Sequence, residues 1–309
     1  MEEEKSLKSD NKKQYWMKLI IFAVFLFLFL IFVSVFIFVV KNSSDPASAA
    51  VIRIAAALQL GKDPNELTDA DFAKITRLDF YRKSFSDIEL LKKFKNLEQL
   101  SLSETDFVEP VIPEWKALLV KIRVIKDPGN YIDLSPLKKL KKLQLLAIIN
   151  QRINDIRPLS KLTNLTDLQL TQTQLSDLEP LKGLTNLRKL YVDGTQVSDL
   201  EPLRVLTDLR ELSIGSTHVT NLEPIKELTK LQKLVVSDTQ ITNLESLREL
   251  TNLKELYISK TSIANLEPIK ELTNLLLLNI QLCNNISDKQ VEELQKALPH
   301  LRIQRALGR

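Results

Sequence analysis

Apolar residues are distributed along this chain in two distinct patterns. From Leu19 to Val40 there are 22 residues without a charge, all apolar except Ser34. From Ile75 onward the apolar residues instead recur with a fixed period. Leu143, Leu165, Leu187, Leu209, Leu231, Leu253 and Leu275 are each 22 residues apart. One unit reads Leu187, Leu190, Val192, Val197, Leu200, Leu203, Leu206, and the next repeats it from Leu209. Backwards, Ile75, Leu97 and Leu119 keep the frame, with a two-residue insertion before Leu143, so about ten units are expected, each one supersecondary element.

Each unit predicts its own elements. The L-x-x-L-x-L stretch alternates apolar and polar, the period of a short strand with one buried face. The rest of the unit places an apolar residue about every third position with proline near its middle, which suits a 3₁₀ or extended turn better than an α-helix. Asp155, Asp177, Asp199, Asn221, Asn243 and Asn265 open these turns, where a short polar side chain can accept from backbone N–H groups. Thr173, Thr195, Thr217, Thr239 and Thr261 form a second ladder, whose hydroxyls can satisfy backbone groups where the strand leaves the sheet. Such units bury their apolar face only by stacking, so the two ends need caps. A helix is predicted over Pro46–Leu60, ended by Gly61, and Thr68-Asp69-Ala70-Asp71 opens another short one. Asp288–Leu298 predicts a helix at the far end, with Leu301 and Ile303 in a final strand.

The segment 19–40 reads as a transmembrane helix. At 1.5 Å per residue it would be roughly 33 Å long, against a hydrocarbon core of about 30 Å. Lys5, Lys8, Lys12, Lys13 and Lys18 precede it, whereas only Lys41 and Arg53 follow closely. That bias places the N-terminus in the cytoplasm and the repeats outside it. Tyr15 and Trp16 fit an interfacial anchor. The alternative is a cleaved leader ending near Ala47-Ser48-Ala49, but the apolar run exceeds the usual length of such segments.

Residues 46–303, with their 22-residue units and helical front cap, resemble the internalin-like class of bacterial leucine-rich repeats. The resemblance implies an α/β solenoid, a leucine-rich-repeat horseshoe with a parallel β-sheet on its concave face, 3₁₀ or extended turns on its convex face and helical caps. It also implies a scaffold that varies its ligands, with side chains between the core leucines pointing into the concavity. The middle column of that face would run Asp79, Ser101, Arg123, Ala147, Gln169, Tyr191, Ser213, Val235, Tyr257, Asn279. Tyr191, Val235 and Tyr257 make a mildly apolar stripe rimmed by Asp193, Lys189, Lys233 and Glu255, the composition of a protein-binding surface. The plainer alternative is a solvated sheet with incidental tyrosines. A second candidate is the irregular stretch 107–131, where Pro110 and Pro113 interrupt the frame. There Trp115 is either a specificity residue on a protruding loop or a filler of core space left by missing leucines. Lys138, Lys139, Lys141 and Lys142 read as a solvated convex face, with an anionic-lipid contact as the weaker alternative.

Composition narrows the chemistry. A formal net charge of +4 on 309 residues is too small to argue for nucleic acid. The single cysteine, Cys283, permits no intramolecular disulfide and takes the threonine position of its unit, where it should pack as a small buried group. The triplets at Asn42, Asn164 and Asn285 match a glycosylation pattern short enough to be incidental. His218 and His300 lie far apart, and no metal-spaced pair or glycine-rich phosphate loop accompanies them. No enzyme activity and no cofactor are expected.

The expected organisation is a cytoplasmic tail (1–18), a membrane helix (19–40), a short linker (41–45), a front cap (46–74), the repeats (75–286) and a C-terminal cap and tail (287–309). The expected function is an extracytoplasmic receptor or scaffold that binds a protein through the concave face. Its short linker, about 15 Å when extended, favours partners on the same membrane or in the periplasm. Two alternatives stand beside it: a self-associating envelope protein, and a cytoplasmic adaptor with inverted topology.

Overall fold

The computed structural model describes residues 46–80, 85, 87–103 and 131–305, and statements of absence below refer to these residues. One leucine per unit, buried beneath its strand, organises them. Leu78, Leu100, Leu146, Leu168, Leu190, Leu212, Leu234, Leu256 and Leu278 are at most 1% exposed. Their strands stack in chain order into a single parallel sheet. The strands are β1 (Arg77–Phe80), β2 (Gln99–Ser103), β3 (Leu145–Ile149), β4 (Asp167–Gln169), β5 (Lys189–Tyr191), β6 (Glu211–Ser213), β7 (Lys233–Val235), β8 (Glu255–Tyr257), β9 (Leu277–Asn279) and β10 (Arg302–Gln304).

From β2 to β9 the segment before each new strand holds a 3₁₀ turn, from Glu89–Lys93 to Glu267–Ile269, whereas an α-helix precedes β10. The predicted aspartate and asparagine residues open these turns. Asp177 Oδ1 accepts from the Glu179 N–H at 2.8 Å, Asn221 from Glu223 at 2.9 Å and Asn265 from Glu267 at 2.9 Å. Proline follows at Pro158, Pro180, Pro202, Pro224 and Pro268, near the turn's start, where its missing N–H costs nothing.

The threonine ladder is buried and bonded. The hydroxyls of Thr173, Thr195, Thr217, Thr239 and Thr261 each donate to the carbonyl three residues earlier, over 2.6–2.9 Å. Cys283 continues this line as a buried group whose thiol donates to the Ile258 carbonyl at 2.9 Å. Between strand and ladder, one residue per unit has a left-handed backbone: Asn150, Gln172, Gly194, Ser216, Asp238, Lys260 and Leu282. An asparagine ladder was not anticipated. Asn164, Asn186, Asn252 and Asn274 donate their amides to the backbone of the preceding unit over 2.7–2.9 Å. Where Asp208 and Lys230 interrupt it, they pair with each other at 2.5 Å. Asn164 thus has a structural task independent of its glycosylation-like triplet.

One expectation is corrected. β2 pairs directly with β3, Leu100 opposite Leu146, leaving no place in the sheet for the unit expected at Leu119. Forty-six residues separate that pair, where 22 separate Leu78 from its partner Leu100, so the connection holds an extra 24. Leu119, Ile122 and Val124 keep the frame in the sequence, but Pro110, Pro113 and Lys116 stand where the preceding turn's leucines would be. The irregular stretch 107–130, with Trp115 and Arg123, lies outside the described residues, as does the apolar run 19–40. No described helix is long and apolar enough to cross a membrane.

Both ends are covered. Helix α1 (Pro46–Leu60) is followed by Gly61 at φ 63°, a conformation glycine adopts without steric cost. Helix α2 (Asp69–Phe72) opens on a capping box in which Thr68 and Asp71 satisfy each other's backbone N–H groups. The Asp71 carboxylate is buried and also takes Lys62 at 2.9 Å and Lys74 at 3.1 Å. At the other end α3 (Asp288–Ala297) opens on a second box, Ser287 with Gln290, and β10 closes the sheet.

Candidate protein-binding face

The parallel register fixes which side chains stand in line. Across the sheet the middle column is Asp79, Ser101, Ala147, Gln169, Tyr191, Ser213, Val235, Tyr257, Asn279 and Gln304. It is the predicted column with Arg123 removed, because Ser101 stands beside Ala147 with nothing between them, and with Gln304 added by β10. Seven of the eight candidate residues share this region: Lys189, Tyr191 and Asp193 on and just after β5, Lys233 and Val235 on β7, Glu255 and Tyr257 on β8. Tyr191, Val235 and Tyr257 are half-buried. Trp115, the eighth, lies outside the described residues.

The neighbouring column carries an order that the individual residues did not suggest. Asp167, Lys189, Glu211, Lys233 and Glu255 occupy the same register on five consecutive strands, alternating in sign. Lys189 meets Glu211 at 2.8 Å and Lys233 meets Glu255 at 3.1 Å. The tyrosines join the ladder. Tyr191 donates its hydroxyl to Glu211, Tyr257 donates to Glu255 at 3.1 Å, and the Lys233 ammonium sits 5.2 Å from the centre of the Tyr257 ring. Burial first, then the Glu211 carboxylate, drives the Tyr191 phenol well above its ordinary range. Burial opposes ionisation of Glu211, yet the bonds from Lys189 and Tyr191 outweigh it and hold this carboxyl below its usual value. The bond to Glu211 likewise raises Lys189.

Asp193, expected on the rim of this surface, also links neighbouring units. Its Oδ1 accepts from Ser213 Oγ at 2.5 Å and from the Gly215 N–H at 3.0 Å, tying β5 to the end of β6. Gly215 leaves room for this, since a Cβ there would come within 3.0 Å of that same oxygen and 3.1 Å of the Ser237 carbonyl. Two residues that the sequence did not single out extend the apolar stripe. Leu277 continues the charged column beyond Glu255 as a half-buried apolar group, and Leu276 beside it is 53% exposed. The signal was present: residues 275–278 read Leu-Leu-Leu-Leu, where every preceding unit from Leu165 has polar residues at the two central positions.

The arrangement is suited to contact rather than to reaction. Its charges are neutralised in place, which holds Tyr191 and Tyr257 in fixed orientations and lowers the entropy lost when a partner docks. Val235, the Tyr257 ring and Leu277 supply adjacent apolar surface. No group of three or more histidine, cysteine, aspartate or glutamate side chains among the described residues could hold a metal ion.

The family described as Leucine Rich repeats (2 copies) matches residues 163–205, 185–227 and 229–271. Among solved structures, an internalin (inlF) from Listeria monocytogenes is 28% identical, with a TM-score of 0.65 over 84% of this chain and 76% of that one. An internalin C2 of the same organism is 29% identical, with a TM-score of 0.63 over 76% of this chain and 93% of the other. A leucine-rich-repeat protein of Leptospira interrogans, 21% identical over 76% of this chain and 67% of its own, shares the fold with a TM-score of 0.52. No curated protein sequence matches the chain. Repeat sequence, strand register and these matches together show a leucine-rich-repeat solenoid that is similar to two bacterial internalins.

Proposed function

We propose that the chain is a membrane-anchored receptor or scaffold whose repeats stand outside the cytoplasm and take a protein ligand on β5–β9. The observation that carries this reading is the run of Val235, Tyr257 and Leu277 on the adjacent strands β7, β8 and β9, with Tyr191 two strands away on β5, beside charges already paired with one another. A protein partner can bury such apolar groups without stripping water from isolated charges, which is what makes central aromatic residues energetically dominant in interfaces. Segment 19–40, by length and hydropathy, supplies the anchor, and the lysines before it supply the orientation.

The test is a photo-crosslinking side chain at Val235, compared in intact cells with the same group at Glu227, away from the strands. Discrete protein adducts at 235, absent at 227 and lost on the double substitution Tyr191→Ala, Tyr257→Ala, are expected. Equal labelling at both positions would overturn the concave-face assignment. Protease added to spheroplasts should digest the repeats, whereas protection until lysis would reverse the topology.

A further inference from the structure

The outer turns carry a charge gradient along the solenoid. Lys139, like Lys93 before it, accepts at its carbonyl from the backbone N–H two residues on, and Glu227, Glu249 and Glu271 do the same in later units. This shared register position is thus lysine near the front cap and glutamate towards the far end. Lys138 departs in a second way. In five later units the turn opens with a glutamate that ties the cation three residues on, as in Glu179–Lys182 and Glu267–Lys270. In the turn of Lys138 that place is taken by Ser135. Lys138, Lys139, Lys141 and Lys142 are all exposed; among the described residues none makes an ion pair with a carboxylate within 4 Å, although the Lys141 ammonium donates to the Lys161 carbonyl at 3.2 Å. Lys95 and Lys161, also exposed, extend the surface by one turn on either side.

We propose that this basic edge docks against the anionic headgroups of the bilayer from which the chain emerges. The inference rests on the reading of 19–40 as the anchor. Three observations favour a bilayer as occupant. The lysines spread over three stacked turns, roughly 10–15 Å, which fits an extended anionic plane better than one small ion. The surface begins beside the front cap, where Lys93 pairs with Asp69 of α2 at 2.8 Å and lies 5.8 Å from the Phe72 ring. Only residues 41–45 separate the apolar run from Pro46, so the linker spans about 15 Å when extended between membrane and cap.

Lysine footprinting tests this on the full chain. It would be acetylated in vesicles of phosphatidylcholine, alone or with phosphatidylglycerol, and each lysine's rate read by mass spectrometry. With phosphatidylglycerol, Lys138, Lys139, Lys141 and Lys142 should react about fivefold more slowly relative to the exposed Lys254 and Lys260, since each lysine gains about 1 kcal/mol near an anionic surface. High salt should remove the protection. Equal rates in both vesicles overturn the proposal, and so does protection by soluble polyphosphate without vesicles. Flotation with neutral vesicles reports the anchor separately. A chain that fails to float there defeats the anchor reading. Flotation with anionic vesicles, lost on Lys138→Gln, Lys139→Gln, Lys141→Gln and Lys142→Gln together, would then still uphold the basic edge.

Discussion

Replacing Thr217 by valine isolates what the buried threonine ladder contributes. Valine has nearly the same shape, so packing is retained and the hydroxyl alone is lost. That hydroxyl donates to the Ile214 carbonyl at 2.6 Å, and Thr217 is 5% exposed. A buried acceptor left without its donor costs about 1–3 kcal/mol. At about 2–4 °C per kcal/mol for a domain of this size, the melting temperature should fall by roughly 2–12 °C. Because each unit touches only its neighbours, the loss is also local. Thermal denaturation followed by circular dichroism gives the magnitude, and native-state hydrogen exchange should show faster opening around 213–217 than around 168–173. Thr217→Ser is the control, since it keeps the bond and gives up one methyl group, about 1 kcal/mol. If valine left the melting temperature unchanged, or serine cost as much as valine, the ladder would act through its methyl groups and the hydrogen-bond argument would be refuted.

Other expectations follow from strain, space and charge. Leu282 holds a left-handed backbone at φ 60° with its side chain 57% exposed, so Leu282→Gly should stabilise the domain by about 0.5–1 kcal/mol, read as a higher melting temperature. Gly215→Ala should do the opposite, by about 1–3 kcal/mol, because the new methyl crowds Asp193 Oδ1 and the Ser237 carbonyl; a rise in melting temperature would refute the close packing. Hydrogen bonds from Lys62 first, then from Thr68 and Lys74, hold the Asp71 carboxyl well below its usual range. Its stabilisation is therefore complete above about pH 4, where the unfolded chain's carboxyl titrates, and is lost as pH falls below that. Asp71→Asn should lower stability at neutral pH and flatten the acid limb of a stability–pH profile; an unchanged acid limb would show that the cap does not depend on that charge.

Much of this architecture was legible because repetition turns weak local preferences into a strong signal. A single threonine after a strand says little, but five at one spacing could only be a ladder. The same reasoning failed where only half of the pattern was matched. Leu119 sits 22 residues after Leu97 and is followed by Ile122 and Val124 at the strand spacing, yet Pro110, Pro113 and Lys116 replace the preceding turn's leucines and Leu118 the asparagine, and the pairing of Leu100 with Leu146 leaves no place for a strand between β2 and β3. The left-handed positions were invisible because only Gly194 among them is glycine. The bonds of Asp193 to Ser213 Oγ and the Gly215 N–H were hidden because those partners lie 20 and 22 residues ahead. The alternating column was hidden for the same reason: its members are neighbours in the sheet and distant in the chain.

That column bears on how ten similar strands find their proper neighbours. A growing array of near-identical units can go wrong by looping one out and stacking the next in its place. Around β4–β8 such a slip would set Asp167 beside Glu211, Lys189 beside Lys233 and Glu211 beside Glu255, like against like in every case. Correct succession brings opposite charges together and omission brings equal ones, so the alternation acts as a proofreading device during assembly. Where the chain does carry extra residues, between β2 and β3, the facing pair in that column is Gln99 and Leu145, and no charge stands to object.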